Sequence, residues 1–408
     1  MKTVGKESPR TYTTIALCFV VALLEGMDLQ SAGIAAPGIA ARFGLSSTMM
    51  GAVFSASILG LLPGALGGGW LADRVGRKRV LIGAVALFGL FSIATAQVWD
   101  LNSLLVARFL TGVGLGAALP NLIALSSEAA DSRSRGIAVS LMYCGVPLGG
   151  ALAALVGMAG FASGWQSVFY VGGMAPLLVA PLLALCLPES AAFREQQSAG
   201  GGGASPVRVS LRQGLFQEGA AMPTLLLWIS YFFTLMVVYM LLNWLPTLLV
   251  GQGFTRPQAG VVQILFNLGG ATGSLLLGLL LDRWRPPALV ALTYAGILAA
   301  LAGLGLSETV GSMRLAGFAA GFFAIGGQLV LYALAPLFYP TAVRATGVGA
   351  AVAIGRLGSM SGPLVAGQML AMGTGATGLL LASAPGIVVA AAAVFYLLGQ
   401  RRAEGVPA

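Results

Sequence analysis

Glu25, Asp28, Arg108 and Arg356 stand inside long apolar stretches of this 408-residue chain. A charged side chain at the middle of a membrane helix costs about 2.5 to 3.5 kcal/mol, so each of these needs a partner or a function. Glu25 and Asp28 are three residues apart and share one helical face. Arg108 falls at a comparable depth in another apolar run and is expected to pair with them. The chain has no histidine, so proton exchange near neutral pH falls to carboxylates. Glu25, Asp28 and Arg108 therefore read as a proton-coupling set. A purely structural buried ion pair is the competing reading.

Arg356 lies about ten residues into its apolar run, roughly 15 Å deep at 1.5 Å per residue. A guanidinium grips a carboxylate through two parallel hydrogen bonds, which suits an organic anion. Polar and aromatic residues recur on helical faces in the same half of the chain: Phe232, Tyr239 and Asn243; Gln263 and Asn267; Gln328 and Tyr332. Such stripes by themselves indicate helix packing; beside a buried arginine they read as a binding site. The expected substrate contacts are Arg356, Tyr239, Asn243, Gln328, Tyr332 and Asn267. Trp244 reads equally as an interfacial belt residue.

These residues need elements that cross a membrane. With 57% hydrophobic and 9% charged residues, and a mean hydropathy of +0.90, the chain lies far from soluble domains, which are about 25% charged. Twelve apolar runs of about 20 residues predict an all-α membrane protein with both ends on one side. Of the 22 Lys and Arg, Arg42, Arg256 and Arg314 are the ones falling opposite the termini, which makes the termini cytoplasmic. The net charge of +9 is thus a topology signal, and no nucleic-acid partner is expected. The first span carries two carboxylates and no small-residue cleavage site, unlike a signal peptide. Cys18, Cys144 and Cys186 fall in separate spans without metal-ligand spacing and read as small core residues. No metal site, ATP-binding loop or nucleophile with a base is present, so an enzyme is not expected and transport would draw on an ion gradient.

The most basic turn is Gly69-Trp-Leu-Ala-Asp-Arg-Val-Gly-Arg-Lys-Arg79. Arg74 and Arg77 suit a cytoplasmic loop, Gly69 and Gly76 allow tight turning, and Asp73 lies where it can cap a neighbouring helix N-terminus. Gly278-Leu-Leu-Leu-Asp282-Arg283 is a decayed copy, with Asp282 lying 209 residues after Asp73. Arg344 lies 209 residues after Arg135 in the corresponding later loop. Two landmarks with one period imply duplication of a six-helix unit: one bundle over 1–187, a cytoplasmic linker over 188–221 and a second bundle over 222–408. Such repeats place substrate near the midplane.

The 69–79 loop resembles that between the second and third spans of the major facilitator superfamily. So does the fourth span, Arg108-x-x-x-Gly112-x-Gly114-x-Gly116-x-x-x-Pro120, whose arginine the resemblance links to proton coupling. Leu187-Pro-Glu-Ser190 is similar to the superfamily's exit from its first half. Over nearly the whole chain the sequence is similar to the aromatic acid:proton symporter family within that superfamily, on Glu25-Gly-Met-Asp-Leu-Gln30, Gly60-Leu-Leu-Pro-Gly64, Leu141 to Pro147 and Leu331 to Tyr339. The wider family carries aspartate where Glu25 stands here. The resemblance implies two pseudo-symmetric six-helix bundles, uptake of an aromatic carboxylate with a phenylpropionate preference, a proton gradient in place of any cofactor, and a bacterial inner membrane. It also implies a latch in which the 69–79 loop meets the start of the eleventh span at Arg344; Gly69, Asp73, Arg74, Gly76, Arg77, Glu128, Asp282 and Arg344 are its candidates. A monomer is expected, with protons, substrate and the bilayer as its partners. Gly145 to Gly150 resembles a drug-antiporter signature with one residue fewer, which keeps a proton-coupled exporter as the alternative.

Overall fold

The computed structural model describes residues 9–131, 134–159, 164–190, 193–194, 221–281, 283–339 and 344–403. Most of the expected linker and Asp282 lie outside these. Twelve of the described helices are long and apolar enough to cross a membrane. They are α1 (Pro9–Phe43), α2 (Ser47–Val75), α3 (Arg77–Ala96), α4 (Leu101–Ala129), α5 (Arg135–Ala159), α6 (Gln166–Cys186), α7 (Ala221–Gly251), α8 (Arg256–Leu281), α9 (Pro286–Leu306), α10 (Val310–Leu334), α11 (Arg344–Ala371) and α12 (Gly375–Gln400). Helices satisfy every backbone group within the segment, as hydrocarbon demands. α5 is interrupted at Cys144 and α12 at Ser383. A 3-10 turn, Ala335–Phe338, prolongs α10.

The chain forms two compact units, Met1–Ser31 with Ala56–Ser205 and Ala32–Ser55 with Pro206–Ala408. In the first unit, α2 and α4 touch backbone to backbone. A methyl group at Gly60 would strike the Phe109 carbonyl, one at Gly64 the Val113 carbonyl and one at Gly112 the Ser57 carbonyl. α1 and α5 are joined the same way, with Gly149 against the Leu23 carbonyl and Gly26 against Val146. Glycine at these stations lets helices approach where hydrophobic driving force is weak.

The second unit repeats four of these five contacts; at the place of Gly26 it has Leu235. Gly269 meets Phe318, Gly273 meets Phe322, Gly321 meets Phe266 and Gly358 meets Phe232. Each of these glycines and each partner lies 209 residues after its counterpart in the first unit. Helix starts follow the same period. The Asp100 side chain accepts from the Ser103 N–H ahead of α4, and 209 residues on the Thr309 side chain accepts from the Ser312 N–H ahead of α10.

The second unit also holds the turn between α1 and α2 with its flanking helix ends. Ser55 Oγ donates to the Met360 carbonyl at 2.7 Å, and Trp244 Nε1 donates to the Pro363 carbonyl at 3.1 Å. The Trp244 ring meets Phe54 edge-on, with centroids 5.1 Å apart. Trp244 is 2% exposed, which corrects its reading as an interfacial belt residue: its indole N–H is satisfied by protein. Cys186 is exposed at the end of α6, unlike buried Cys18 and Cys144, so it is not a core residue.

Candidate functional site

In the first unit, the glycine contacts dictate who meets Arg108. Arg108, Gly112 and Gly116 form one stripe of α4, and the two glycines lie on the carbonyls of Ser57 and Leu61 in α2. That approach brings Ser57 Oγ to 3.4 Å from Arg108 Nη2. On α1, Gly26 faces α5, and Asp28 turns to α4. Arg108 Nη1 lies 3.2 Å from Asp28 Oδ2, and Nη2 donates to the Asp28 carbonyl at 3.3 Å. The Phe169 ring of α6 closes one side, with its centroid 5.5 Å from the guanidinium carbon. Arg108 and Asp28 are both fully buried, and Glu25 is 2% exposed. Removing either charge of such a pair leaves the other uncompensated in a low-dielectric interior, where a lone charge is costly. A proton delivered to Asp28 would cancel its charge and loosen the pair.

A second constellation forms in the other unit. Gly358 and Gly362 of α11 lie on the Phe232 and Met236 carbonyls of α7, and this close packing sets Arg356 beside Tyr239. Arg356 Nη1 donates to Tyr239 Oη at 2.7 Å. On α10, Gln328 Nε2 donates to Tyr332 Oη at 2.9 Å. Both Arg356 and Tyr239 lie within electrostatic range of Tyr332. Tyr231 packs its ring 5.5 Å from that of Tyr332 and donates to the Leu331 carbonyl at 3.1 Å. Asn243 and Asn267 donate to the Tyr239 and Gln263 carbonyls one turn back in their own helices. The structure thus pairs Arg356 with Tyr239 and Gln328 with Tyr332, and one amide N–H each of Asn243 and Asn267 is engaged by its own helix.

A third cluster lies where α3, α4 and α6 end. Gly76, at φ 99°, makes the break between α2 and α3 in a region that side-chain-bearing residues avoid. Arg77 then forms an ion pair with Glu128, and Ser190 Oγ donates to Glu128 Oε2 at 2.5 Å. Glu189 Oε1 accepts the Lys78 N–H at 3.0 Å and the Ser190 N–H at 2.9 Å. Lys78 Nζ donates to the Ala184 carbonyl at 2.7 Å. The carboxylate at the start of α3 is therefore Glu189. Asp73 is exposed in the last turn of α2, four residues after Gly69, and Arg74 lies over the Trp70 ring at 3.8 Å. Arg344 Nε donates to the Tyr339 carbonyl at 3.4 Å.

Ser57, Tyr231 and Glu189 are the participants that sequence reasoning missed. Tyr231 is an aromatic residue next to Phe232 of the α7 stripe, and Glu189 belongs to the Leu-Pro-Glu-Ser motif, so both left a signal. Ser57 left none, being one of many small hydroxyls in an apolar helix.

The sequence matches the profile described as Major Facilitator Superfamily over residues 18–363 and 227–408. It is 61% identical over 401 residues to the 3-(3-hydroxyphenyl)propionate transporter of Escherichia coli strain K12, covering 98% of this chain and 97% of that protein. It is 37% identical to the gallate transporter of Pseudomonas putida, covering 97% and 93%. In fold it is similar to the inward-open xylose transporter of E. coli, with a TM-score of 0.75 at 19% identity over 94% of this chain and 95% of the other.

Proposed function

The chain belongs to the Major Facilitator Superfamily as a multi-pass membrane protein, and we propose that it takes up an aromatic carboxylate together with a proton. The substrate is 3-(3-hydroxyphenyl)propionate or a close phenylpropionate, as the relative named for that acid supports. The membrane is the bacterial inner membrane, with both termini cytoplasmic by the distribution of Lys and Arg. The proton gradient supplies the energy in place of a cofactor, and the protein acts as a monomer.

The observation that carries the coupling is the fully buried Asp28–Arg108 pair. In a chain with no histidine, Asp28 is a group that can hold a proton inside the spans and whose charge state governs a neighbouring cation. Glu25, buried one turn earlier, is the second carboxylate of the pathway. Arg356, presented by α11 with Tyr239 as its hydroxyl partner, binds the substrate carboxylate. Taking one proton with one monoanion moves no net charge. The pH gradient alone then drives accumulation, about 1.36 kcal/mol or tenfold per pH unit.

The conformational latch comprises Gly69, Asp73, Arg74, Gly76, Arg77, Glu128, Asp282 and Arg344, and the cluster that Arg77 and Glu128 form with Ser190 and Glu189 supports it. That cluster ties the ends of α3, α4 and α6 through charge-assisted bonds, which are among the stronger hydrogen bonds. A transport cycle that parts these ends must break them.

Purified protein in liposomes with an imposed pH gradient, inside alkaline, is expected to accumulate radiolabelled 3-(3-hydroxyphenyl)propionate without a current. Uptake indifferent to the pH gradient would remove proton coupling. A current accompanying uptake would rule out one proton per monoanion.

A further inference from the structure

We propose that Gln328 and Tyr332 read a phenolic hydroxyl on the substrate ring, and so set a preference for hydroxylated over unhydroxylated aromatic acids. The proposal rests on the reading of Arg356 as the carboxylate holder.

A phenol both donates and accepts, so recognising it takes an acceptor and a donor side by side. Several polar side chains of the second unit already have other partners. Tyr239 Oη accepts from the Arg356 guanidinium and belongs to the carboxylate end. Tyr294 Oη shares its hydrogen bond with Thr234 at 3.1 Å, and the Tyr231 hydroxyl donates to the Leu331 carbonyl. Asn243 turns its amide N–H to its own helix. Gln328 and Tyr332 differ. Their mutual bond uses one amide N–H and one lone pair of the tyrosine, leaving the Tyr332 O–H to donate and the Gln328 carbonyl oxygen to accept. That is the complement of a phenol.

Position and rigidity agree with this role. The two residues are one turn apart on α10, so the helix itself fixes their spacing. Tyr231 braces the Tyr332 ring. Tyr332 is partly exposed and Gln328 is buried. Arg356 lies within electrostatic range of Tyr332, which keeps the hydroxyl reader near the carboxylate holder. A site built to bond a hydroxyl discriminates strongly against the analogue lacking it, because its own polar groups are left unpaired.

The test is a direct titration of the purified full-length protein with 3-(3-hydroxyphenyl)propionate and with 3-phenylpropionate. Wild type is expected to favour the hydroxylated acid by about tenfold or more, the worth of one or two neutral hydrogen bonds. Tyr332→Phe, which keeps the ring against Tyr231, and Gln328→Leu should each bring that ratio close to unity. Equal weakening of both acids by both variants would show a merely structural role and overturn the proposal, as would a wild type with no preference. A folded wild type that binds neither acid would remove the carboxylate reading and this one with it. That result is separate because it is seen before any variant is made.

Discussion

Ser57 in the first unit and Phe266 in the second occupy one station: each offers its carbonyl to a glycine of the facing helix, Gly112 or Gly321. Backbone to backbone, the two places are alike. Their side chains have parted, one contacting a buried arginine and the other filling apolar space. The same holds along the whole repeat. Arg108 corresponds to Gly317, Asp28 to Val237, Gln30 to Tyr239 and Pro147 to Arg356, each pair 209 residues apart. Four glycines that bring helices together, Gly60, Gly64, Gly112 and Gly149, persist in the second copy as Gly269, Gly273, Gly321 and Gly358, because a single methyl group there would strike a carbonyl. Charges do not persist, because a buried charge is costly unless it does something. The acidic pair and its arginine belong to one copy, and the arginine with tyrosines to the other, which is the division the proposed coupling of proton and substrate would use.

The sharpest way to break this division is Asp28→Asn. The variant keeps the shape of the side chain but cannot exchange a proton, so accumulation of about tenfold per pH unit should fall to none. Exchange of labelled for unlabelled substrate at equal pH should survive, since it needs no net proton movement. Persistent gradient-driven accumulation would move the proton to Glu25. Arg356→Lys probes the other copy: it keeps the charge and loses the fork that fits a carboxylate. Affinity for the aromatic acid in a direct titration should drop roughly tenfold or more, the range of a hydrogen bond to a charged group. Equal affinity would refute the assignment.

Much of this was legible in the sequence, for reasons that can be named. Hydrocarbon imposes length and apolarity on each span, so the twelve helices could be counted directly. Glu25, Asp28, Arg108 and Arg356 stand out because charge is rare at that depth. The period was visible at Asp73 and Asp282, although the glycine contacts that explain it needed coordinates. Hydropathy carries no record of which helix faces which. Hence Ser57, the stacking of Tyr231 on Tyr332 and the membership of Ala32–Ser55 in the second unit were invisible. Nor can sequence show that an amide N–H of Asn243 and of Asn267 is bonded to the carbonyl one turn back in its own helix.

The shared frame makes a quieter prediction. Gly112→Ala and Gly321→Ala should destabilise the protein by similar amounts, about 1–3 kcal/mol each, as for other overpacking changes. Gly67→Ala and Gly278→Ala place their methyl groups in open space and should cost little. Thermal unfolding in one detergent would compare the four. A large difference between Gly112→Ala and Gly321→Ala would show that the copies no longer share a packing scheme.

The smallest expected effect separates the copies at their helix starts. Asp100 and Thr309 hold equivalent N-cap positions, but only the first is ionisable. The Ser103 hydroxyl and then the Ser103 N–H hold the Asp100 carboxyl below its ordinary value of 3.8. A carboxyl depressed in the folded state contributes stability above its unfolded value, and loses that contribution as pH falls through the folded one. The advantage of wild type over Asp100→Ala should therefore be constant at neutral pH and shrink below about pH 4. Thr309→Ala removes a neutral cap, worth about 0.5–2 kcal/mol, and its effect should stay level over the same range. Melting curves at pH 7 and near pH 3, each variant against wild type at the same pH, give the readout. An Asp100→Ala deficit that does not shrink in acid would mean the cap works through its hydrogen bonds alone, with its charge contributing nothing to the start of α4.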